Sequence, residues 1–415
     1  MLACRVRMLH PPHRLDISLA QLARAAAGSR SRDGAAAAAG VEALWDPAGR
    51  ALACLSVRSG FDLLLGALQL PAGTEVLASA LNIDDMGALV ATHGLKLVPL
   101  DVDPETFAPR PEELRRAVTP RARVLLLAQL FGGRHDLSAL AQEAHQHGLL
   151  VVEDAAQAFC GLPAADIAGV DVTLWSFGTL KTATALGGAI ISVADPDLLA
   201  RMRTLQASWP EQRRGAYLAK VARTVGLVVA QRPAVYGALD KIGAACGVST
   251  DAVVRRLTRG FPARDTARLL AALRQRPCAA LLRFLTHRLL RFDAQRLERR
   301  RAAGARVLAA LGERAMGARM QRPSSWLVAA RERSPGDLRR PLLAGGFEIS
   351  DASNVVAFGG AEARRLIDGM VYVPAYPEMG ESALGSLCAL LAAAPLDAAP
   401  QAAPGNEYRA AHSAR

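Results

Sequence analysis

Two stretches decide how this chain is read: "VVEDAAQAFCG" from Val151 to Gly161, and "WSFGTLKTATALGG" from Trp175 to Gly188. The first is an apolar run that ends in two carboxylates. The second sets a lone lysine among threonines, alanines and glycines. Adjacent strand residues point to opposite faces, so Glu153 and Asp154 do not converge on one site and a metal pair is not expected. Asp154 closes its strand, where a side chain can emerge at the carboxyl edge of a sheet. Lys181 follows the next strand and is the only lysine between Lys96 and Lys220. Charges in apolar surroundings need partners. Alone, Asp154 would be read as a helix cap and Lys181 as a solvated loop residue.

Outward from these stretches, short β-branched or Leu-rich runs alternate with helical patterns between Ala51 and Val193: "EVLASA", "LKLVPLD", "RVLLLAQL", "DVTLWSF" and "GGAIISV". Such alternation predicts an α/β fold with a mostly parallel sheet. Residues 1–50, with "ARAAAGSRSRDGAAAAAG", read as an irregular N-terminal lead-in. Residues 51–200 form the large α/β domain and 201–290 an arginine-rich helical insertion, whose arginines are read first as solvated helix faces. Residues 291–392 mix helix and strand signals and predict a small C-terminal α+β domain. Residues 393–415 read as a disordered tail.

The chain has 415 residues, of which 51% are hydrophobic and 21% charged, enough apolar material for more than one core. The net charge of +12 raises the question of nucleic acid. The arginines, however, are dispersed through helical patterns with few aromatics among them, so no nucleic-acid partner is expected. The six cysteines show no C-x-x-C pair or Cys/His cluster, which predicts neither a zinc site nor a disulfide framework and suits the cytoplasm. The N-terminal stretch "MLACRVRMLHPPHRLD" lacks a long apolar run, and no membrane span is expected.

A lysine in a partly desolvated pocket shifts toward its neutral, nucleophilic form. Pyridoxal 5′-phosphate (PLP) needs such an amine for its aldehyde and a carboxylate for its ring nitrogen. Asp154 and Lys181 supply both. These motifs, with "VRSGFDLLLGALQLPAGTEVL" and "RVLLLAQLFGG" before them in order, resemble the DegT/DnrJ/StrS sugar-aminotransferase family of fold type I PLP enzymes. The resemblance runs from about residue 40 to 200, and more loosely from 290 to 392. It implies a large domain with a mainly parallel seven-stranded sheet, a small C-terminal domain, and a homodimer with sites near the subunit interface. It also implies that Lys181 bonds the cofactor aldehyde and shuttles the proton, while Asp154 faces the pyridine nitrogen. Gln157 would lie near the phenolic oxygen and Ser176 would donate to the phosphate. Ser59, Gly60 and Phe61 would form the phosphate turn at a helix N-terminus, where anions are favoured.

Several positions depart from the family. Phe61 stands where a threonine is usual, Asn82 and Ile83 where an aromatic stacks on the ring, and Ala185 with Leu186 in a shortened turn after the lysine. The reading that follows is an aminotransferase moving an amino group from an amino-acid donor, glutamate by resemblance, to a small-molecule keto acceptor of the nucleotide-sugar class. Arg255, Arg256, Arg259 and Arg264 are candidates for holding an acceptor phosphate or carboxylate. Two other readings stay open: a PLP-dependent lyase, dehydratase or decarboxylase, and a catalytically silent scaffold or regulator.

Overall fold

Twelve short strands and sixteen helices are seen in the computed structural model, which describes residues 8–28, 33–164, 166–258, 266–317 and 319–394. The apolar runs become β1 (Ala51–Cys54), β2 (Glu75–Ser79), β3 (Leu81–Asn82), β4 (Lys96–Leu100), β5 (Ala122–Ala128), β6 (Leu150–Asp154), β7 (Val172–Ser176) and β8 (Ala189–Val193). Seven of them form one sheet in the order β1-β8-β7-β6-β5-β2-β4. The pairs from β4 through β7 are parallel, and only β8 runs against its neighbours. Strands β2, β5, β6 and β7 are buried almost throughout because helices cover both faces, which is why they read as continuous apolar runs rather than alternating ones.

The lead-in departs from expectation. It is helical over α1 (Leu19–Ala27) and α2 (Gly34–Trp45). Ser18 and Gln21 close a reciprocal capping box on α1, and the Asp33 side chain caps α2 by accepting from Ala36 N at 2.9 Å. Alanine-rich stretches favour helix once capped, and these helices bury Leu22, Ala25, Val41 and Trp45. The small residues were therefore helix formers, not turn formers.

Within the large unit, α3 (Val57–Leu68), α4 (Asp84–Thr92), α5 (Pro111–Ala117), α6 (Ser138–Gln146) and α7 (Pro196–Ala207) connect or flank the strands. The arginine-rich stretch then gives α8 (Arg214–Ala230), α9 (Pro233–Ala245), α10 (Thr250–Thr258), α11 (Thr266–Leu273) and α12 (Ala279–Leu290). Here the solvated-face reading fails for α12, whose Leu281, Leu282, Phe284, Leu285 and even Arg288 are buried. Leu281 and Leu285 lie against Gly188, so α12 seals the loop that carries Lys181.

The C-terminal part begins with α13 (Ala294–Leu311) and continues through β9 (Val328–Arg331), α14 (Arg339–Ala344), β10 (Ser350–Asp351), β11 (Val356–Ala357), α15 (Ala361–Ile367), β12 (Met370–Val373) and α16 (Gly380–Ala393). An antiparallel sheet β10-β12-β9 packs with α13 and α16 around Val307, Leu311, Val328, Val371, Leu387 and Leu391. Strand β11 pairs with β3, fastening this part to the large unit at Val356↔Asn82. The tail expected over 393–415 lies outside the described residues from 395 onward.

One polar cluster joins all these parts. Asp16 Oδ2 accepts from Ala183 N at 2.7 Å, and Arg296 Nε lies 2.6 Å from Oδ1. Arg300 Nη2 stands 3.5 Å from Oδ2, and Arg288 donates to the Asp16 carbonyl at 2.7 Å. Burial pushes the Asp16 carboxyl up, but Arg296, Arg300 and Arg288 together outweigh it and hold it below the usual carboxylate range. Asp16→Ala would leave two arginines that are only 6% exposed without a counterion. Removing one partner of such a buried cluster costs about 3–5 kcal/mol, measurable by urea denaturation near pH 7. Because the folded-state pKa is depressed, wild type loses this advantage as pH falls below about 4, so the gap between the two proteins narrows there.

Candidate active site

Sheet topology brings the two decisive residues together. Asp154 ends β6 and Ser176 ends the parallel β7, so both lie at the carboxyl edge. The chain then turns through Gly178, whose carbonyl accepts from Lys181 N at 3.0 Å, before returning as β8. A cavity of about 660 Å³ opens at this edge, and Asp154, Gln157, Ser176 and Lys181 all line it. Its other walls come from the first turn of α3, from α8 and α10, and from the C-terminal part.

The carboxylate pair divides as strand geometry requires. Glu153 points away from the cavity and is fully buried, held bidentately by Arg134 at 2.8 Å through both Nε and Nη2. Asp154 faces the cavity, 7% exposed, with Oδ1 accepting from Ala156 N at 3.0 Å. Burial pushes its pKa up, against the opposing pull of the Ala156 N–H, Lys181 and Arg58. Lys181 is half-buried, its Nζ 4.1 Å from the centroid of the Trp326 ring. Burial pulls its pKa down to about 7, with Asp154 opposing and Arg58 adding to the shift. Both charges are disfavoured by the same dry surroundings. A cationic ring nitrogen beside Asp154 would hold that carboxylate ionised.

Trp326 was not anticipated. Its Nε1–H donates to Leu180 O at 2.7 Å, which fixes the ring beside Lys181. No spacing in the sequence links a tryptophan 145 positions away to the lysine; only the docking of the C-terminal part does. Gln157 uses its carbonyl oxygen to accept from Phe131 N at 2.6 Å, so its NH2 group is the end without a protein partner among the described residues. Ser176 Oγ accepts weakly from Gly178 N at 3.4 Å, leaving its O–H able to donate.

Four expected cofactor residues, Ser59, Gly60, Phe61 and Asn82, are not at the cavity. The helix that follows β1 starts three residues earlier than the turn at Ser59, Gly60 and Phe61 requires. Ser56 is its N-cap, accepting from Ser59 N at 3.1 Å, and Ser56, Val57 and Arg58 line the cavity. Ser59 and Phe61 are wholly buried. Gly60 is there for packing: a Cβ would sit 2.4 Å from Ile191 Cδ1. The resemblance implies a phosphate turn at this glycine, whereas here it lets α3 approach β8. Asn82 is corrected as well. It is 1% exposed within β3, its Oδ1 accepting from Ile83 N at 2.8 Å, while Ile83, Asp84 and Asp85 face the cavity instead. Arg255 and Arg256 of α10 line the cavity, with Arg255 paired to Asp251 at 2.5 Å; Arg259 and Arg264 lie outside the described residues.

The loop after Lys181 is held from several sides. Thr182 Oγ1 accepts from Arg300 at 2.8 Å, Thr184 O from Arg288 at 3.1 Å and Ala185 O from Tyr217 at 3.3 Å. Ala183 and Leu186 adopt φ of 53° and 65°. Non-glycine residues persist there, at a cost of order 1–3 kcal/mol, only where surroundings over-determine them. PLP fits what is present: a partly desolvated lysine, a carboxylate for the ring nitrogen, and a helix N-terminus with Arg58 for the phosphate.

The model of the DegT/DnrJ/EryC1/StrS aminotransferase family matches residues 41–319, and the chain belongs to that family, whose enzymes depend on PLP. Among individual proteins, it is 30% identical over 160 residues to the dTDP-4-dehydro-2,3,6-trideoxy-D-glucose 4-aminotransferase of Saccharopolyspora spinosa, covering 38% of this chain and 42% of that protein. It is 31% identical over 166 residues to the GDP-perosamine synthase of Caulobacter vibrioides, covering 40% and 45%. The matched region thus spans less than half the length of these curated relatives. The fold is shared with the aminotransferase TlmJ from Streptoalloteichus hindustanus at a TM-score of 0.65 and 18% identity, over 93% of this chain and 98% of that one.

Two expectations follow from the geometry. Gly60→Ala should destabilise the protein by about 1–3 kcal/mol through overpacking, and the double variant with Ile191→Val should lose less than the two singles summed. Reductive methylation of the cofactor-free protein followed by peptide mapping should label Lys181 first and Lys220 second among the lysines. A lowered pKa means a larger neutral fraction, so the Lys181 rate should reach half-maximum near pH 7, against about 10.4 for an ordinary lysine.

Proposed function

We propose that this chain is a PLP-dependent aminotransferase that takes an amino group from an amino-acid donor, glutamate by family resemblance, and delivers it to a nucleotide-linked keto-sugar. The observation that carries this reading is the convergence of Lys181 and Asp154 on one cavity at the carboxyl edge of the sheet. When bound, PLP supplies the aldehyde for amine exchange and a ring that accepts the electrons released on breaking an adjacent C–H bond. Lys181, largely neutral near pH 7.5, can bond a carbonyl carbon and can carry a proton away from and back to the substrate carbon. Asp154 would hold the positive charge on the ring nitrogen of a bound cofactor. The NH2 group of Gln157 suits an anionic phenolic oxygen, and the Ser176 hydroxyl and the first turn of α3 suit the phosphate.

The acceptor class is supported by the names of the two curated relatives and by the cations of α10 at the cavity wall. The division into a large domain over 51–200, an insertion over 201–290 and a small domain over 291–392 belongs to the same proposal. So do a homodimeric state and a cytoplasmic location; among the described residues no helix is long and apolar enough to cross a membrane. A silent scaffold is less well supported, because it would have no use for a desolvated lysine beside a buried carboxylate.

Lys181→Ala should abolish transamination, by at least the 10²–10⁴-fold typical of a lost acid–base group, while PLP still binds through its phosphate. Asp154→Asn should fall similarly with cofactor retained. Borohydride reduction and peptide mapping of wild type should place the phosphopyridoxyl group on the Lys181 peptide. Labelling elsewhere, or none in the presence of bound PLP, would remove the basis for this function.

A further inference from the structure

Only four of the chain's 50 basic residues are lysines, Lys96, Lys181, Lys220 and Lys241, and two of these, Lys181 and Lys220, line the same cavity. Lys220 lies on α8, in the helical stretch between the cofactor lysine and the C-terminal part. It is half-buried, and among the described residues its ammonium has no hydrogen-bond or ion-pair partner. Burial, with Arg223 and Arg58 adding to it, pulls its pKa down to about 8. A cation lining a cavity, with no carboxylate within ion-pair distance among the described residues, leaves a place for an anion.

That place has a definite neighbour. Arg58 stands on the first turn of α3, whose N–H groups also favour negative charge. Asp85, 2.5 Å from Arg58 Nε, balances Arg58 but not Lys220. Hydroxyl donors are short at this turn. Ser56 Oγ accepts from Ser59 N at 3.1 Å, and the Ser56 and Ser59 hydroxyls bond each other at 2.9 Å, so the pair keeps a single O–H to donate elsewhere. Val57 and Arg58 complete the turn without another hydroxyl.

We propose that Lys220, reaching in from the inserted helix α8, is a ligand of the cofactor's phosphate and completes with Arg58 an anion site at the N-terminus of α3. The proposal rests on the PLP reading and extends it: the insertion becomes part of the cofactor site in cis, rather than only a surface for the acceptor. The phosphate is the favoured occupant over an acceptor anion because Lys220 shares the cavity with Arg58 on the first turn of α3, where N–H groups favour negative charge, whereas the acceptor candidates Arg255 and Arg256 belong to α10.

The test compares PLP with pyridoxal, which lacks the phosphate, by absorbance titration of wild type, Lys220→Met, Lys220→Arg and Arg223→Met. Lys220→Met should weaken PLP by roughly 10- to 100-fold, the range for one charge-assisted hydrogen bond, and leave pyridoxal affinity within about twofold, on the same principle that only the phosphate contact is lost. The unchanged pyridoxal affinity also reports that the variant is folded. Lys220→Arg should keep most of the PLP preference, and Arg223→Met, which removes an exposed charge of the same helix, should keep all of it. The proposal is overturned if Lys220→Met weakens both ligands equally, leaves the preference intact, or raises only the acceptor's KM. Wild type that binds no PLP at all would instead remove the function reading, and this inference with it.

Discussion

The position of Lys181 depends on a carboxylate far from it in sequence. Asp16 binds the backbone N–H of Ala183, two residues beyond the lysine, and gathers Arg288 from α12 with Arg296 and Arg300 from α13. The same arginines reach Thr182 and Thr184 in that loop. Desolvating four charged groups is unfavourable unless each is well paired, so the cluster tolerates few alternative arrangements. Its members come from the N-terminal segment, the helical stretch that ends in α12, and the C-terminal part, and one loop registers all three. The left-handed backbone at Ala183 and Leu186 persists because these contacts leave the loop little alternative.

The cavity inherits its chemistry from that rigidity. Lys181 is partly shielded from water by Trp326 and by the packed loop, and the carboxylate that opposes its shift, Asp154, is itself buried. A lysine and an aspartate in free solution would both be charged near neutral pH; here each leans toward its neutral form. A cofactor carrying a cationic ring nitrogen and an anionic phosphate would restore balance at both ends.

The motifs around Asp154 and Lys181 were legible because strand ends and small-residue loops leave local patterns. The helix start that faces the cavity lies three residues before the turn that the family resemblance implies. "VRSGFD" contains a glycine beside a serine, and glycine is the usual mark of such a turn. Helix α3 in fact begins at Val57, capped by Ser56, and the glycine serves the close approach to Ile191. Asn82 was misjudged because its two-residue strand pairs with Val356, more than 270 positions away. The N-terminal helices were missed where alanine-rich sequence was weighed by its small size and not by its helix propensity.

By itself, the sequence determined the alternation of strands and helices, and with it a mainly parallel sheet whose carboxyl edge carries Asp154 and Ser176 and is followed by Lys181. Strand period, apolar runs and turn residues are properties of neighbouring positions, so they survive without coordinates. Tertiary structure alone decided that Trp326 stands over Lys181, that Asp16 holds the loop, that Ser56 to Arg58 face the cavity, and that Lys220 enters it. Each of these joins residues separated by tens to hundreds of positions, through burial and charge pairing that depend on how whole elements pack. No periodicity encodes such meetings, because the energies that select them arise only after the chain has collapsed around a common core.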